Sequence, residues 1–287
     1  MITLVKRHLL VFFRDRWAVF FSFLSVIIII LLYLLFLMDM LESNFPESIR
    51  GTNDADHLLY SWLMSGVLMV STVTVPLGFL AVMIHDKSVS ISNDFFVAPI
   101  RRILITLSYI IAALIVTLVL AIVNLVIGQL IIFLNVGKLL DPVSFITLIG
   151  VTALSSALFT SMLYVVVSLI RSQNAHGTLS SIVGTLIGFV CGIYVPIGVF
   201  GSTIQSVLNT LPFMQMSALF RKIYMEDGME AVFAGTPDMK ASYAAFYGVD
   251  IELFSTNLSI GALTVMLLGW TLLFVALSAW RVKSFRS

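Results

Sequence analysis

Apolar residues in this chain come in long unbroken runs, without the i, i+3, i+4 striping of a helix half-covered by water. A helix needs about 20 apolar residues to cross a bilayer. Six runs meet that length: residues 18–38, 61–84, 103–134, 143–169, 177–195 and 257–280. The third is longer than hydrocarbon requires, so it tilts or protrudes. Turn formers separate the runs, among them Asn44, Pro46 and Gly51, then Gly137 and Pro142, then Ser172 and Asn174. Residues 1–17 mix aliphatic and Phe side chains with Lys6, Arg7, Arg14 and Arg16. That pattern predicts a helix lying in the interface with its bases snorkelling to headgroups. Residues 196–216 stay apolar but are broken by Pro196, Gly198, Gly201 and Pro212. A re-entrant pair of short helices fits them, because irregular backbone is tolerated at membrane depth where protein buries it. Residues 217–256 are polar and form an outer segment before the last run. The expected fold is all-α: one polytopic membrane domain spanning 1–287, with six transmembrane helices.

Composition agrees. Of 287 residues, 60% are hydrophobic and 11% charged, against about 25% charged in a soluble domain. There is too little polar surface to cover a globule, so the solvent is lipid. A net charge of +1 and the lack of a basic, aromatic-interleaved stripe exclude nucleic acid as a partner. The first run is too long for a signal peptide and has no small-residue cleavage site, so it stays as a span. Basic residues set the orientation. With the N-terminus inside, Lys6, Arg7, Arg14, Arg16, Lys87, Arg101, Arg102, Arg171, Arg281, Lys283 and Arg286 are cytoplasmic. Only Arg50, Lys138, Arg221, Lys222 and Lys240 are then outside. Both termini are therefore expected in the cytoplasm of a cell (plasma or inner) membrane.

Several chemistries are missing. No GxxxxGK[ST] phosphate loop, HExxH or GxSxG occurs. The histidines His8, His57, His85 and His176 show no ligand spacing, and the single Cys191 allows neither a disulfide nor a cysteine metal cluster. No run carries an ionisable residue at mid-depth, where ion-coupled transporters place one. The chain is thus not catalytic by itself, holds no metal or cofactor, and draws its energy from another molecule. Within the fifth run, Ser180, Gly184, Gly188 and Gly192 recur every four residues. They allow close helix approach, as a subunit interface or as packing within one subunit. Ser71, Thr72 and Thr74 beside Pro76 in the second run either line a polar path or bond back to their own helix carbonyls. Asn124 and Gln129 in the third run read as interhelical glue ahead of the alternative, substrate ligands.

The one charged stretch between two apolar runs in the first half is 85–102, which includes Ser90, Ile91, Asn93, Asp94, Phe95, Phe96 and Pro99 before Arg101 and Arg102. Ser90 or Ser92 can cap a short helix, Pro99 stops it, and the two Phe form a knob suited to an interface. The segment Asn93 to Arg102 resembles the second half of the loop between the second and third spans in permease subunits of type-2 ABC exporters. Asp86-Lys87-Ser88-Val89 departs from the Arg-Glu-x-Gly of that family's first half. A second motif is more specific: Gly192-Ile193-Tyr194-Val195-Pro196, then Pro212 and, nine residues on, Arg221.

The resemblance implies a homodimer or heterodimer of permeases with separate ATP-binding cassette subunits, ATP and Mg being held by those partners and not by this chain. The loop would be the coupling helix seated in a groove of the ATPase. The first, second and fifth spans would shape the substrate route, and 196–216, with Tyr194, Pro196, Pro212 and Arg221, would be the outer gate. The implied function is outward movement of an amphipathic drug, peptide, lipid or polymer. The competing readings are a stand-alone channel or ion-coupled transporter, and a non-transporting membrane anchor or sensor of an immunity complex.

Overall fold

The computed structural model describes residues 1–287 except 34, 36–37, 44, 46, 48, 92–100, 254–255 and 285–287, with backbone alone at 21, 25, 39, 40, 102, 283 and 284. Apart from one short hairpin it is helical. The helices are α1 (Ile2–Arg14), α2 (Arg16–Leu32), α3 (Met38–Glu42), α4 (Asn53–Ser88), α5 (Arg102–Val136), α6 (Pro142–Ser168) and α7 (Gln173–Val190). A 3-10 turn (Ile197–Val199) leads to α8 (Ser202–Thr210), α9 (Pro212–Tyr224), α10 (Glu226–Val232) and α11 (Pro237–Phe246). Strands β1 (Glu252–Leu253) and β2 (Thr256–Asn257) pair antiparallel before α12 (Ile260–Ser284).

Among the described residues, α4, α5, α6 and α12 are each long and apolar enough to cross a membrane alone. Helices α1 and α2, bent 79° at Asp15, make a fifth span only if they are taken as one. That corner is local chemistry: Asp15 leaves helical backbone and its Oδ1 accepts from the amides of Trp17 and Ala18, capping α2. Helix α1 is amphipathic, with Leu4, His8 and Phe12 buried and Lys6 and Arg14 exposed. The 17 residues of α2 and the 18 of α7 each rise only about 26–27 Å, short of a ~30 Å hydrocarbon layer. In α7 the first turns are polar as well, carrying Gln173, Asn174, His176 and Thr178.

Helix α4 is the axle. It packs against α2, α5, α6, α7, α9 and α10, and most of its residues are buried. Four of its hydroxyls are satisfied at home: Ser65, Ser71, Thr72 and Thr74 donate to carbonyls three or four residues back. Thr72 also shares a hydrogen bond of 2.8 Å with Ser155 of α6. Pro76 sits inside this helix without ending it. The span expected over 61–84 is longer at both ends. Its first turns pack on α10, where Gly228 lets Leu58 approach, and its last turn survives because the Asp86 charge is neutralised there. Helix α12 is the opposite case, presenting most of its surface outward and touching α6 and α9 on one side.

Candidate functional site

The chain brings its polar residues together at the two ends of the bundle. The near end holds α1, the C-terminus of α4, the start of α5 and the start of α7. Asp86, three residues before the C-cap of α4, is 2% exposed. An isolated carboxylate would not survive there. It is held by a bidentate pair with Arg7 of α1, one arm of which, Nη2 to Oδ1, is 2.9 Å long. The Tyr109 hydroxyl of α5 donates to Asp86 Oδ2 at 2.5 Å. Behind this pair the His8 ring stacks on Tyr109 with centroids 3.8 Å apart.

The hydrogen bonds fix the state of His8. Ser108 donates its hydroxyl to Ile105 O, so His8 Nε2, 3.0 Å from Ser108 Oγ, must be the donor. His8 Nδ1 then accepts from Arg7 Nη1 at 3.1 Å. Both ring nitrogens suit a neutral imidazole, and burial, aided by the Arg7 charge, pushes the His8 pKa down to about 4. Helix α1 is thereby riveted to both helices that flank the 89–101 connection. Ser90 begins that connection in the left-handed region (φ 64°), a conformation rare for residues other than Gly, and is exposed; Ile91 is half-buried. Asn93, Asp94, Phe95, Phe96 and Pro99 lie outside the described residues. The residues 85–88 belong to α4 rather than to a connecting loop, which moves the start of the expected docking helix to Ser90 or later. The signal for this cluster was a lone carboxylate at a span end on the side rich in bases, but its partner lies 79 residues away.

Beside the cluster, a cavity of about 480 Å³ opens between α1, α2, α4 and α7. Val11, Phe12, Ala18, Ala81, Val82 and Ile84 supply its apolar wall, and Asp15, His85, Gln173 and His176 its polar groups. His176 Nε2 lies 3.1 Å from Leu77 O, and Gln173 Nε2 reaches His85 Nδ1 and Ser88 Oγ at 2.8 and 3.0 Å. Ser71, Thr72, Thr74 and Pro76 do not line this cavity; they lie deeper, turned into the packed bundle, Thr74 being half-buried.

The far end is built around Arg221 of α9, which is 0% exposed and pairs with no carboxylate among the described residues. Its Nη2 donates to Cys191 O and Gly192 O, both at 2.8 Å, and its Nη1 to Gly248 O at 3.3 Å. The guanidinium also lies over the Trp62 ring, 5.4 Å from its centroid. Those carbonyls have a common origin. Helices α7 and α11 both end in a left-handed glycine, Gly192 (φ 64°) and Gly248 (φ 68°), and the chain folds back so that Ile193 N reaches Gly188 O and Val249 N reaches Ala244 O. Arg221 therefore stands at two helix C-termini, whose dipoles stabilise a cation that has no carboxylate partner among the described residues. A Cβ on Gly248 would sit 2.7 Å from Arg221 Nη1, so that glycine is required twice over.

Tyr194 and Pro196 follow directly. Tyr194 packs its ring on Gly188 and, edge-on, on Phe189 at 5.1 Å. Pro196 and Pro212 are buried, the first capping the 3-10 turn and the second opening α9. Segment 212–224 is one nearly wholly buried helix, so the boundary expected at 216–217 falls inside it; Ser217 and Arg221 spend their polarity on the α7 terminus. The small-residue stripe divides. Gly188 and Gly192 are used inside the protomer, whereas a Cβ on Gly184 would meet nothing within 4 Å and Ser180 Oγ is buried with no partner among the described residues. Next to Gly184, Thr178, Ser181, Ile182, Thr185, Leu186 and Phe189 form an exposed face of α7. Gln129 joins elements, donating to Tyr224 Oη of α9 at 2.7 Å and accepting from Leu140 N at 3.1 Å, while Asn124 Nδ2 is buried with no partner among the described residues.

The sequence pattern of one family covers both ends. The ABC-2 type transporter family matches residues 1–225, from α1 through the Arg221 helix. No curated protein matches the chain. With more than three quarters of its length inside that match, and four apolar helices able to cross a bilayer among the described residues, the chain belongs to the ABC-2 type transporter family, as a multi-pass membrane permease.

Proposed function

We propose that this chain is the membrane subunit of an ATP-driven exporter, working as a homodimer or heterodimer with two ATP-binding cassette subunits that hold the ATP and Mg. The observation that carries the reading is the riveted near end, inside the family match. A push on the 89–101 connection meets α4, α5 and α1 as one body, and α1 turns at Asp15 into α2. Residues Ser90, Ile91, Asn93, Asp94, Phe95, Phe96 and Pro99 form the docking segment. Both termini are cytoplasmic in the plasma or inner membrane, and α2 and α7, thinner than the bilayer, complete six spans. The cavity between α1, α2, α4 and α7 receives the substrate from the near side. Its aliphatic wall with a few polar groups suits an amphipathic drug, peptide, lipid or polymer unit. Ser71, Thr72, Thr74 and Pro76 lie on the path beyond it when the bundle opens. Tyr194, Pro196, Pro212 and Arg221 hold the outer gate closed, and the outward face of α7 around Gly184 meets the second copy.

The test is reconstitution in vesicles with candidate ATP-binding cassette subunits from the same source. Efflux that depends on ATP and on the partner is expected. Phe95→Ala with Phe96→Ala should lower co-purification of the partner several-fold while the permease stays monodisperse. Transport that persists without any nucleotide-binding partner would defeat the proposal.

A further inference from the structure

The donors and acceptors on the wall of the near-end cavity can be assigned atom by atom from the carbonyls around it. His176 of α7 is 6% exposed and lines the cavity. Its Nε2 lies 3.1 Å from Leu77 O, and a carbonyl only accepts, so the ring proton sits on Nε2. In the neutral ring Nδ1 is then an acceptor. It meets no donor among the described residues, yet it is not sealed from the open space that the ring borders. Ser88 gives its hydroxyl proton to His85 O at 2.8 Å, so toward Gln173 it can only accept. The Gln173 group that faces both Ser88 Oγ and His85 Nδ1 is therefore the amide nitrogen. His85 Nδ1 accepts from it, which puts the His85 proton on Nε2, and Gln173 Oε1 is left without a donor among the described residues.

Asp15 supplies the one carboxylate among the residues that line the cavity. Its Oδ1 is occupied by the amides of Trp17 and Ala18, and it forms no ion pair among the described residues, so Oδ2 is uncommitted. No Lys or Arg lines this cavity, and Arg14 and Arg16, the sequence neighbours of Asp15, are exposed outside it. The open polar atoms are thus the acceptors Asp15 Oδ2, His176 Nδ1 and Gln173 Oε1, against the single donor His85 Nε2–H. A carboxylate or phosphate would meet acceptors and a like charge. An ammonium group brings the missing donors and the opposite charge.

We propose that this cavity takes amphipathic amines. The ammonium donates to the Asp15 carboxylate, His176 Nδ1 and Gln173 Oε1 receive the remaining N–H or O–H groups, and the apolar body lies on the aliphatic wall of α1 and α4. As the identity of the cargo, this rests on the exporter reading. The binding itself does not, and it is measured without nucleotide or partner.

The experiment is a fluorescence titration of the purified full-length chain in phosphatidylcholine nanodiscs, with the signal of empty nanodiscs subtracted. The probes are dansylcadaverine, a primary ammonium on an apolar fluorophore, and its N-acetyl derivative, the same body without the charge. Saturable binding of the amine is expected, with the acetylated form at least about tenfold weaker. Asp15→Asn keeps an oxygen to cap α2 and should weaken the amine about fivefold while leaving the acetylated form unchanged. His176→Phe keeps a ring in place, removes Nδ1, and should also weaken the amine about fivefold. No saturable amine signal above empty nanodiscs, equal binding of the two probes, or an affinity unmoved by both substitutions would overturn the proposal. Amine binding without ATP-dependent efflux in the reconstituted system would overturn the exporter reading and leave the binding site standing, so the two failures are separable.

Discussion

Removing Asp86 tests whether the near end is a single mechanical joint. In Asp86→Ala, Arg7 loses a bidentate carboxylate and Tyr109 loses its acceptor. Hydrogen bonds to a charged group contribute about 1.5–3 kcal/mol each, and an orphaned buried donor costs about 1–3 kcal/mol. Arg7 is 29% exposed, so water and headgroups recover part of its share. The net loss is then about 3 kcal/mol, which for a chain of this size lowers the unfolding midpoint by roughly 6–12 °C. Asp86→Asn keeps two polar atoms and loses the charge, for about 1–2 kcal/mol. The assay is the fraction of detergent-solubilised protein that stays monodisperse after heating, for Arg7→Leu, Asp86→Leu and the double variant. The pair should be non-additive by at least ~1 kcal/mol, as expected for residues in one network. Additive effects, or an Asp86→Ala midpoint within about 2 °C of the wild type, would refute the joint. In the reconstituted exporter, Asp86→Asn should leave partner binding intact and uncouple efflux from hydrolysis.

Further outcomes follow from geometry already described. His8 titrates near 4 when folded against 6.5 when free; because the folded pKa is the lower one, stability is full above pH 6.5 and falls as pH drops toward 4, by at most about 1.4 kcal/mol per unit. His8→Gln should flatten that acid slope in a pH series of unfolding midpoints, and an unchanged slope would exclude His8 as its source. Arg221→Met strands the carbonyls of Cys191, Gly192 and Gly248; a loss of about 3 kcal/mol is expected, since buried acceptors left without a donor each cost about 1–3 kcal/mol and removing the buried charge offsets part of the sum. Arg221→Lys recovers only part of it, since an ammonium cannot fork between two helix ends. Gly184→Leu should leave the isolated protomer as stable as before, because its Cβ meets nothing, yet abolish the crosslinked dimer that the proposed α7 interface predicts. Gly188→Ala should cost about 1–3 kcal/mol within the protomer by forcing the Tyr194 ring away.

The periodic features were legible in the chain. Residues 103–134 and 143–169 lie within a residue or two of α5 and α6, because lipid imposes unbroken apolar runs. The serines and threonines of α4 illustrate what a sequence leaves open: a path and a set of back-bonds look alike until the carbonyls are located. Asp86 was the least legible residue. By pattern it opens a loop, and it is helical only because Arg7 and Tyr109 come to it from elsewhere in the chain. Arg221 was visible through its spacing from Pro212, but its partners are backbone carbonyls, which leave no mark in a sequence.

The central position of α4 has a consequence for how the molecule is made. It leaves the ribosome before most of the surfaces that cover it, which belong mainly to α5, α6, α7, α9 and α10, the last of which ends at Val232. Until those segments arrive, His57 and a row of hydroxyls face lipid or the translocation machinery rather than protein. Arg7 and Tyr109 are among the first partners synthesised, so the near end closes while the far end is still unmade. Assembly thus runs from one membrane face to the other, and the Arg221 cage, whose last carbonyl comes from Gly248, is the latch that closes it.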